Sequence, residues 1–274
     1  MLGMTEAGGL LAIDTSTQVS SVAVISGGKL AAELTMQARL THSETLMPHV
    51  RQVLKMAGLK KEQLSGIAVS QGPGSFTGLR IGLAAAKAMA YVLDVPLLGV
   101  PTPAVLACQC PVPGIRLVAL LDAQKGNAYV QSFRWEKAQG RREEGWSLEG
   151  LWLHGLHDVQ VAPLRETVAA CGAAGEPVML LGDLVQKKVA GRLELPEKVS
   201  CAPLHLVMPR AACVAQLGLA QLARGAAANV MDFEPIYVRR SEAEVLWEKR
   251  HPEQIGTEEP DCVLKSVVPG AGHE

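Results

Sequence analysis

Residues 71–82 read Gln-Gly-Pro-Gly-Ser-Phe-Thr-Gly-Leu-Arg-Ile-Gly, and they join a predicted strand at 66–71 to a predicted helix at 77–93. Glycines in such a position allow a tight turn, and free amides at a helix N-terminus can receive an anion. The loop lacks the Gly-Lys-[Ser/Thr] ending of a nucleotide-binding P-loop and the glycine spacing of the dinucleotide fingerprint. The residue chemistry therefore favours a structural turn over a phosphate site.

The helix after this loop carries a stripe of small side chains that recur every four residues. The stripe and its flanking leucines are Gly78, Gly82, Ala86, Ala90, Leu79, Leu83 and Leu93. At 3.6 residues per turn this spacing brings the small residues to one side, where another backbone can approach closely. Two interpretations stay open from the residues alone: the stripe packs on the protein's own sheet, or it docks on a helix of a partner.

The pattern around the loop predicts a repeated order of elements. The first half has predicted strands at 10–13, 19–26, 29–36, 66–71 and 97–100 and helices at about 41–57 and 77–93. The second half has predicted strands at 115–121, 128–135, 146–153 and 177–182 and helices at 159–170 and 210–224. Each half reads βββαβα, which predicts an α/β protein of two similar lobes that face a cleft.

Two local signals accompany this order. Gly27-Gly28 separates two strand-like runs and predicts a two-residue hairpin, because glycine supplies the positive φ that such turns need. Pro48 leaves the start of the next helix open. It would kink a helix capped at Thr41, but would lie harmlessly in the first turn of a helix that begins near Thr45.

An aspartate follows the first strand of each half. Asp14 opens the corner Asp-Thr-Ser-Thr-Gln, which contains no glycine, and Asp122 opens Asp-Ala-Gln-Lys-Gly-Asn, which contains one. Corners that hold phosphates need glycines so that backbone amides can approach the ligand. An aspartate that caps its own turn is favoured over catalysis at both positions. Asp14, Thr15, Ser16 and Asp122 are kept as the candidate nucleotide-binding residues.

The sequence offers no catalytic or metal site. His42 and His49 are seven positions apart, about two helical turns, which is too far for both to bind one metal ion. The Gly-x-Ser-x-Gly nucleophile elbow is absent. We therefore predict no catalytic residue and no metal ligand, although a triad of distant residues leaves no local pattern.

The net charge and the cysteine spacing limit the cellular environment and the binding partners that are expected for this chain. The net charge of −1 argues against a chain that grips RNA unaided, because phosphate neutralisation supplies most of that affinity. The six cysteines lack zinc-site spacing and are interpreted as buried thiols in a reducing cytoplasm. No signal-peptide pattern or membrane-spanning run is present, so a soluble cytoplasmic protein is expected.

Several motifs together closely resemble the TsaB (YeaZ) family of tRNA threonylcarbamoyladenosine biosynthesis proteins. They are Leu-Ala-Ile-Asp-Thr-Ser-Thr at 11–17, His-Ser-Glu at 42–44, the glycine loop at 71–82, Ala-Ala-Ala-Lys at 84–87, Asp-Ala at 122–123 and Glu-Pro-Ile-Tyr-Val-Arg at 234–239. Gly-Pro-Gly-Ser-Phe-Thr-Gly-Leu-Arg is the most specific of them. The resemblance is dense over 10–100, thinner to 240 and absent from the charged tail.

The resemblance implies an actin/Hsp70-like fold of two ribonuclease-H-like lobes. The chain then divides into a disordered 1–9, an N-terminal lobe at 10–108, a C-terminal lobe at 109–208, a helix and segment at 209–240 that pack between the lobes, and a disordered tail at 241–274. It also implies a non-catalytic subunit that binds and activates the catalytic paralogue TsaD, in the complex that transfers threonylcarbamoyl to the adenosine next to the tRNA anticodon. The catalytic subunit's His-x-x-x-His pair is missing here.

The resemblance also implies partners and an interface. The ATPase TsaE joins the complex, tRNA binds mainly through the complex, and the chain forms a homodimer when alone. The two helices of the first lobe are expected to dock, which favours the partner interpretation of the stripe. The expected interface is His42, Leu46, Val50, Gly78, Leu79, Gly82, Leu83, Ala86 and Ala90. No cofactor of its own is expected, and ATP or ADP is a candidate ligand at the partner interface. The alternative function is an active ATPase or kinase of the actin-like fold.

Overall fold

The computed structural model describes residues 8–37, 42–138, 145–173 and 175–238. The first lobe is a five-stranded sheet in the order β3-β2-β1-β4-β5. Its elements are β1 (Gly9–Asp14), β2 (Val19–Ser26), β3 (Lys29–Gln37), α1 (His42–Met56), β4 (Leu64–Gly72), α2 (Phe76–Leu93) and β5 (Leu97–Pro101). The first three strands are antiparallel, whereas β4 runs parallel to β1 and β5 parallel to β4.

The second lobe is built on a sheet in the order β12-β11-β6-β7-β9-β8, with β10 also paired to β7. After α3 (Thr102–Cys108) come β6 (Arg116–Asp122), β7 (Asn127–Lys137), β8 (Trp146–Leu148), β9 (Leu151–Gly155), β10 (Gln160–Pro163), α4 (Leu164–Gly172), β11 (Val178–Leu181), β12 (Val199–Cys201) and α5 (Ala211–Leu222). Again an antiparallel pair opens the lobe, and β11 adds parallel to β6. The predicted fold class, two ribonuclease-H-like lobes, is confirmed.

The central strand β1 is buried on both sides and joins two hydrophobic cores. Leu11 and Ile13 point to the core under α1 and α2, whereas Leu10 and Ala12 point to the core shared with α3, α5 and the second lobe. This follows from the two-residue period of a strand, which sends successive side chains to opposite faces. The corner at the end of β1 is therefore held rigidly from both faces of the sheet.

Several predicted elements are confirmed. The Gly27-Gly28 hairpin forms with positive φ at both glycines. The helix α1 is present from His42, so Pro48 lies inside it and the later start near Thr45 is wrong. Thr41, the predicted cap, lies outside the described residues.

Other predictions are corrected. The strand predicted at 146–153 is two short strands that turn at Glu149 and Gly150, both of positive φ. The start of the helix predicted at 159–170 is a strand, β10, because residues 160–163 add to the edge of β7. Neither α3 nor β12 was predicted from the sequence patterns. The segments predicted to be disordered lie outside the described residues, except for Gly8 and Gly9. Gly9 belongs to β1 and pairs with Ser26 of β2.

The helix α5 packs mainly on the first sheet. It contacts β1, β2, β4 and β5 on the face opposite α1 and α2. It also contacts the helix α3 and the strand β8, which belongs to the second sheet. Among the described residues, α2 is long and apolar enough to cross a membrane by length and composition alone. Its inner side packs on β4, as in the core helix of a globular protein, so its composition is weak evidence for a membrane span.

Candidate functional site

The glycine loop lies directly on the first corner of the chain. The amide of Ser75 donates to the carbonyl of Ser16 at 2.7 Å, and the hydroxyl of Thr15 donates to the carbonyl of Gly78 at 2.7 Å. Ser75 also caps α2, because its hydroxyl accepts from the Gly78 amide at 3.3 Å. The loop and the corner therefore form one hydrogen-bonded unit, in agreement with a structural role for the loop.

Three glycines permit this contact. A Cβ atom at Gly74 would meet the carbonyl of Ser16, one at Gly78 the carbonyl of Thr15, and one at Gly82 the hydroxyl of Thr15. In each case the approach is well inside 3.0 Å, closer than real Cβ atoms come to other groups. The small residues at the start of the stripe are thus explained by Thr15 and Ser16 of the chain itself.

Asp14 is fully buried behind the corner. Its carboxylate accepts from the amide and hydroxyl of Ser16 at 3.1 Å and from the hydroxyl of Ser70. Burial raises the pKa of this carboxyl, and the hydrogen bonds from Ser70 and Ser16 oppose that shift only in part. Asp14 and Thr15 are therefore occupied by the fold and do not line the cleft, which corrects their prediction as nucleotide ligands.

A cavity of about 520 Å³ separates the two lobes. Ser16 and Asp122, the other two candidate nucleotide residues, do line it. Its remaining lining is Thr17, Gln18, Pro73, Gly74, Ser75, Phe76, Thr77 and Leu79 from the first lobe, Leu121, Ala123, Gln124, Tyr129, Asp183 and Lys187 from the second, and Ile236 and Tyr237. The volume is that of a typical small-molecule site.

The charges of the cavity do not suit a polyphosphate. Asp183 is paired with Lys187 at 2.7 Å, and Asp122 lies 3.8 Å from Lys188. The Asp122 carboxylate also accepts from the amide of Gln124 at 2.9 Å, so it caps its own turn as predicted. A phosphate chain here would face two carboxylates, while the neighbouring ammonium groups are already paired.

A C-terminal strap, residues 228–237, lies within the segment that the resemblance expects between the lobes, and Ile236 and Tyr237 of the strap line the cavity. The Ala228 amide donates to the carbonyl of Leu97, and Phe233 is buried in the core of the first lobe. The Nζ of Lys87 donates to the carbonyls of Phe233 at 2.9 Å and Met231 at 3.1 Å. A lone lysine in the otherwise apolar centre of α2 was the available signal.

The strap ends in an aromatic cluster at the mouth of the cavity. Tyr237 lies 5.5 Å from the ring of Phe76, between ring centroids, and accepts a hydrogen bond from Arg80 Nε at 3.1 Å. The Arg80 guanidinium also lies 3.9 Å from the centroid of Phe76. These contacts connect the first turn of α2 to the strap and explain the Glu-Pro-Ile-Tyr motif.

We expect Lys87→Met to loosen the strap without unfolding the lobe. The substitution removes two charge-assisted hydrogen bonds while Phe233 stays packed, so the Ile236 amide, which donates to Gln71 at 2.9 Å, should exchange hydrogen at least about tenfold faster. Hydrogen–deuterium exchange of the peptide 228–237 measures this. Lys55→Met, on an exposed position of α1, is the matched control. Unchanged exchange in Lys87→Met would show that the lysine does not hold the strap.

The structure corrects the predicted interface residues. Leu46, Val50, Gly78, Leu79, Gly82, Leu83, Ala86 and Ala90 are all buried within the chain itself. The stripe therefore packs on the protein's own corner and sheet, the interpretation that the resemblance had set aside. His42 is half-buried, and its Nε2 donates to the carbonyl of Thr17 at 2.8 Å.

The outer faces of α1 and α2 carry other residues, which lie in solvent. On α2 these include Ala84, Ala88, Tyr91 and Val92, and the last two are 71% and 77% exposed. Met47 on the adjacent α1 is 49% exposed. Exposed aromatic and aliphatic groups at helical spacing form an apolar face without a partner in the described chain.

Two solved structures from Pseudomonas aeruginosa share this arrangement of two lobes and a cleft. One is an uncharacterized protein with similarity to peptidase YEAZ, with a TM-score of 0.68 at 25% identity over 85% of this chain and 100% of that one. The other is YeaZ, with a TM-score of 0.65 at 26% identity over 84% and 99%. Fold and cleft thus define a protein of the actin-like, ribonuclease-H-like class.

Sequence comparison finds relatives of the chain within this structural class. The tRNA threonylcarbamoyladenosine biosynthesis protein TsaB of Bacillus subtilis is 29% identical over 241 residues, which cover 87% of this chain and 97% of that protein. The chain is therefore similar to TsaB (YeaZ) proteins over most of its length. Residues 35–145 also match the model of a related family, TsaD: tRNA N6-adenosine threonylcarbamoyltransferase.

Proposed function

We propose that this chain takes part in tRNA threonylcarbamoyladenosine formation as a non-catalytic subunit that binds and activates a TsaD homologue. The observation that carries the proposal is the closed first corner, where the glycine loop is bonded to Thr15 and Ser16. An enzyme of this fold that used a nucleotide would need that corner open, with amides directed at phosphate. Here the corner is occupied by the chain itself.

The described residues also lack a usable nucleophile. Two serines contact histidines, Ser20 with His49 and Ser132 with His157, but both serines are 0% exposed. Burial lowers the pKa of His49, and no substrate carbonyl could reach either hydroxyl without opening the lobe. In the same residues, no group of three His, Cys, Asp or Glu side chains could hold a metal ion. This supports a subunit that acts through binding and not through chemistry.

The outer faces of α1 and α2 are the proposed docking surface for the TsaD homologue. They offer an aromatic anchor, Tyr91, beside Ala84 and Ala88, whose small side chains let a partner helix approach closely. The match of the TsaD family model to 35–145 supports a partner of similar fold, because that range includes both helices. In its absence the same surface would join two copies of this chain.

The remaining partners follow from charge and from the family. With a net charge of −1, the chain is proposed to meet tRNA mainly through the complex, which a TsaE homologue completes in the cytoplasm. The cleft of this chain is a poor phosphate site, because its carboxylates are in salt bridges to Lys187 and Lys188 and leave no free ammonium group for a phosphate. ATP or ADP is therefore proposed to bind at the partner interface instead. The alternative function, an active ATPase of the same fold, is supported by the volume of the cavity. Titration of the chain with ATP by calorimetry distinguishes this ATPase from a non-catalytic subunit.

The proposal is tested by omitting one component at a time from a reconstituted reaction. Threonylcarbamoyl-adenylate, substrate tRNA, the TsaD homologue and the TsaE homologue are combined with and without this chain, and the modified nucleoside is measured by mass spectrometry. We expect product only with the chain present, since a partner that prefers the competent conformation of the catalytic subunit shifts it toward activity. Full activity without the chain would overturn the proposal.

A further inference from the structure

The two helices of the first lobe are basic as well as apolar. Arg51 and Lys55 are exposed on α1, and α2 carries the exposed Arg80 and the half-buried Lys87. The sequence of α2 contains no acidic residue, and that of α1 contains one, Glu44, which already interacts within the chain. The two helices therefore form a locally positive region on a chain whose net charge is −1.

Helical spacing places these cations beside the apolar outer face. Met47, Arg51 and Lys55 follow one another at intervals of four on α1, so their side chains share one side of the helix. On α2, Lys87 precedes the exposed Tyr91 by four residues. Both helices pack on the same core of the first lobe, so their outward sides form one surface that is apolar and basic together.

The positive charges of this surface are not neutralised by the chain. Arg80 contacts the ring of Phe76 and the hydroxyl of Tyr237, and Lys87 donates to two backbone carbonyls, so the partners of both cations are uncharged. Within the described residues, none of the four cations has a carboxylate as salt-bridge partner. The next acid along the chain, Asp94, lies beyond the last turn of α2.

We infer that this surface selects a partner whose docking face carries acidic side chains around an apolar centre, and that it thereby favours the TsaD homologue over a second copy of this chain. The inference rests on the proposed docking of that homologue on α1 and α2. In a two-fold dimer of this chain the same patch meets itself, so cations would face cations. Complementary charges accelerate association with the right partner, and like charges penalise the wrong one.

The phosphate backbone of tRNA is also negative, but the apolar centre favours a protein. Tyr91 and Val92 are 71% and 77% exposed and lie among the basic groups. Large apolar side chains at the centre with polar groups around them are typical of protein–protein interfaces. Surfaces that grip a phosphate backbone are much more polar and more strongly positive. Binding of tRNA to this surface is therefore treated as an outcome that the test must exclude.

The experiment measures how salt changes the binding of the full chain to the TsaD homologue, by stopped-flow fluorescence. Between about 50 and about 500 mM NaCl we expect the association rate constant to fall about tenfold, because ions screen the attraction between exposed charges. The dissociation rate constant should change by less than about twofold. Sedimentation equilibrium of the chain alone should show the reverse, with the dissociation constant of the homodimer falling about threefold over the same range.

Two variants of α1 test the charges directly. Arg51→Glu combined with Lys55→Glu should lower the association rate constant at low salt at least about tenfold and remove its decrease with salt. Arg51→Gln combined with Lys55→Gln places no like charges on adjacent turns and should show about half of this effect on a logarithmic scale. Arg165→Glu combined with Arg192→Glu, at exposed positions of the second lobe, gives the same net charge as the Glu variant and should stay within about twofold of wild type.

Equal effects in the α1 variants and the second-lobe control would overturn the inference, because net charge and not this surface would then steer association. A homodimer that salt weakens as much as the heterocomplex would overturn it as well. If the α1 variants lose tRNA binding in fluorescence anisotropy but bind the TsaD homologue as wild type does, the surface belongs to RNA. If the homologue does not bind at any salt concentration, the proposed function itself fails and this inference with it.

Discussion

A Gly78→Ala substitution is expected to lower the free energy of unfolding by about 3 kcal/mol, although alanine is the better helix former. Helix propensity alone would stabilise the variant by about 1 kcal/mol. The new Cβ, however, would collide with the carbonyl of Thr15, a backbone atom held in place by β1. Overpacking costs about 1–3 kcal/mol, and the two hydrogen bonds between loop and corner add about 1 kcal/mol each when they are strained.

Gly82→Ala provides the matched comparison, because its Cβ would meet a side-chain atom, the Thr15 hydroxyl. We expect a loss of about 2 kcal/mol in the wild-type background and a much smaller loss in Thr15→Ala, where the nearest remaining atom is Thr15 Cβ at 3.5 Å. Urea unfolding of the four proteins of this cycle measures the coupling. Ala84→Gly, on the exposed side of α2, calibrates the helix propensity at this helix.

The absence of coupling between positions 15 and 82 would contradict the packing explanation of the stripe. A leucine at position 82 should then be tolerated by the fold and disturb only an interface. The structure instead predicts that Gly82→Leu prevents folding of the first lobe, because no room exists for a branched side chain above Thr15. Circular dichroism of the purified variant distinguishes the two outcomes.

The small-residue stripe illustrates what a sequence can and cannot specify. A repeat of glycine and alanine every four residues predicts a close approach, but it does not name the approaching group. That group is the corner at Thr15, more than 60 positions earlier in the chain, as the bond between Thr15 and Gly78 shows. The predicted interface residues on α1 and α2 are ones that the structure buries, whereas the outer faces of the same helices stay a proposed docking surface.

Local patterns predicted the first lobe well, since its strands β1 and β2 are short runs rich in apolar and β-branched residues and its hairpin carries Gly27-Gly28. The second lobe was less predictable because its elements are short. β8 has three residues and β10 has four, and such segments are stabilised by neighbouring strands more than by their own propensity. The strap was not predictable from local patterns, because its contact with Lys87 spans 146 positions.

The closed corner was partly predictable. The absence of glycine from Asp-Thr-Ser-Thr-Gln indicated a weak phosphate site. The sequence did not show that the glycines of the neighbouring loop serve to cover that corner, or that Asp14 is fully buried with a raised pKa. Both facts depend on the packing of α2 against β1 and the corner that follows it.

Substitutions on the exposed side of α2 are expected to have the largest functional effect. Ala84→Glu and Ala88→Glu keep good helix formers at solvent positions, so the fold should survive with its Tm nearly unchanged. In a complex each would bury an unpaired carboxylate, and Tyr91→Ala would remove the aromatic anchor. We expect each variant to raise the concentration of this chain needed for half-maximal tRNA modification by about 50-fold, while the maximal rate is retained.

The split between concentration and maximal rate is the decisive part of this test. A residue that only supports docking changes the affinity, so excess protein restores the rate, whereas a residue that supplies chemistry would lower the maximum itself. Leu204→Glu, 70% exposed on the second lobe, is the control and should behave as wild type. Size-exclusion chromatography of the chain alone should show that the same α2 variants, but not the control, dissociate a homodimer. Equal half-maximal concentrations in the α2 variants and the control would mean that the TsaD homologue binds elsewhere on the chain.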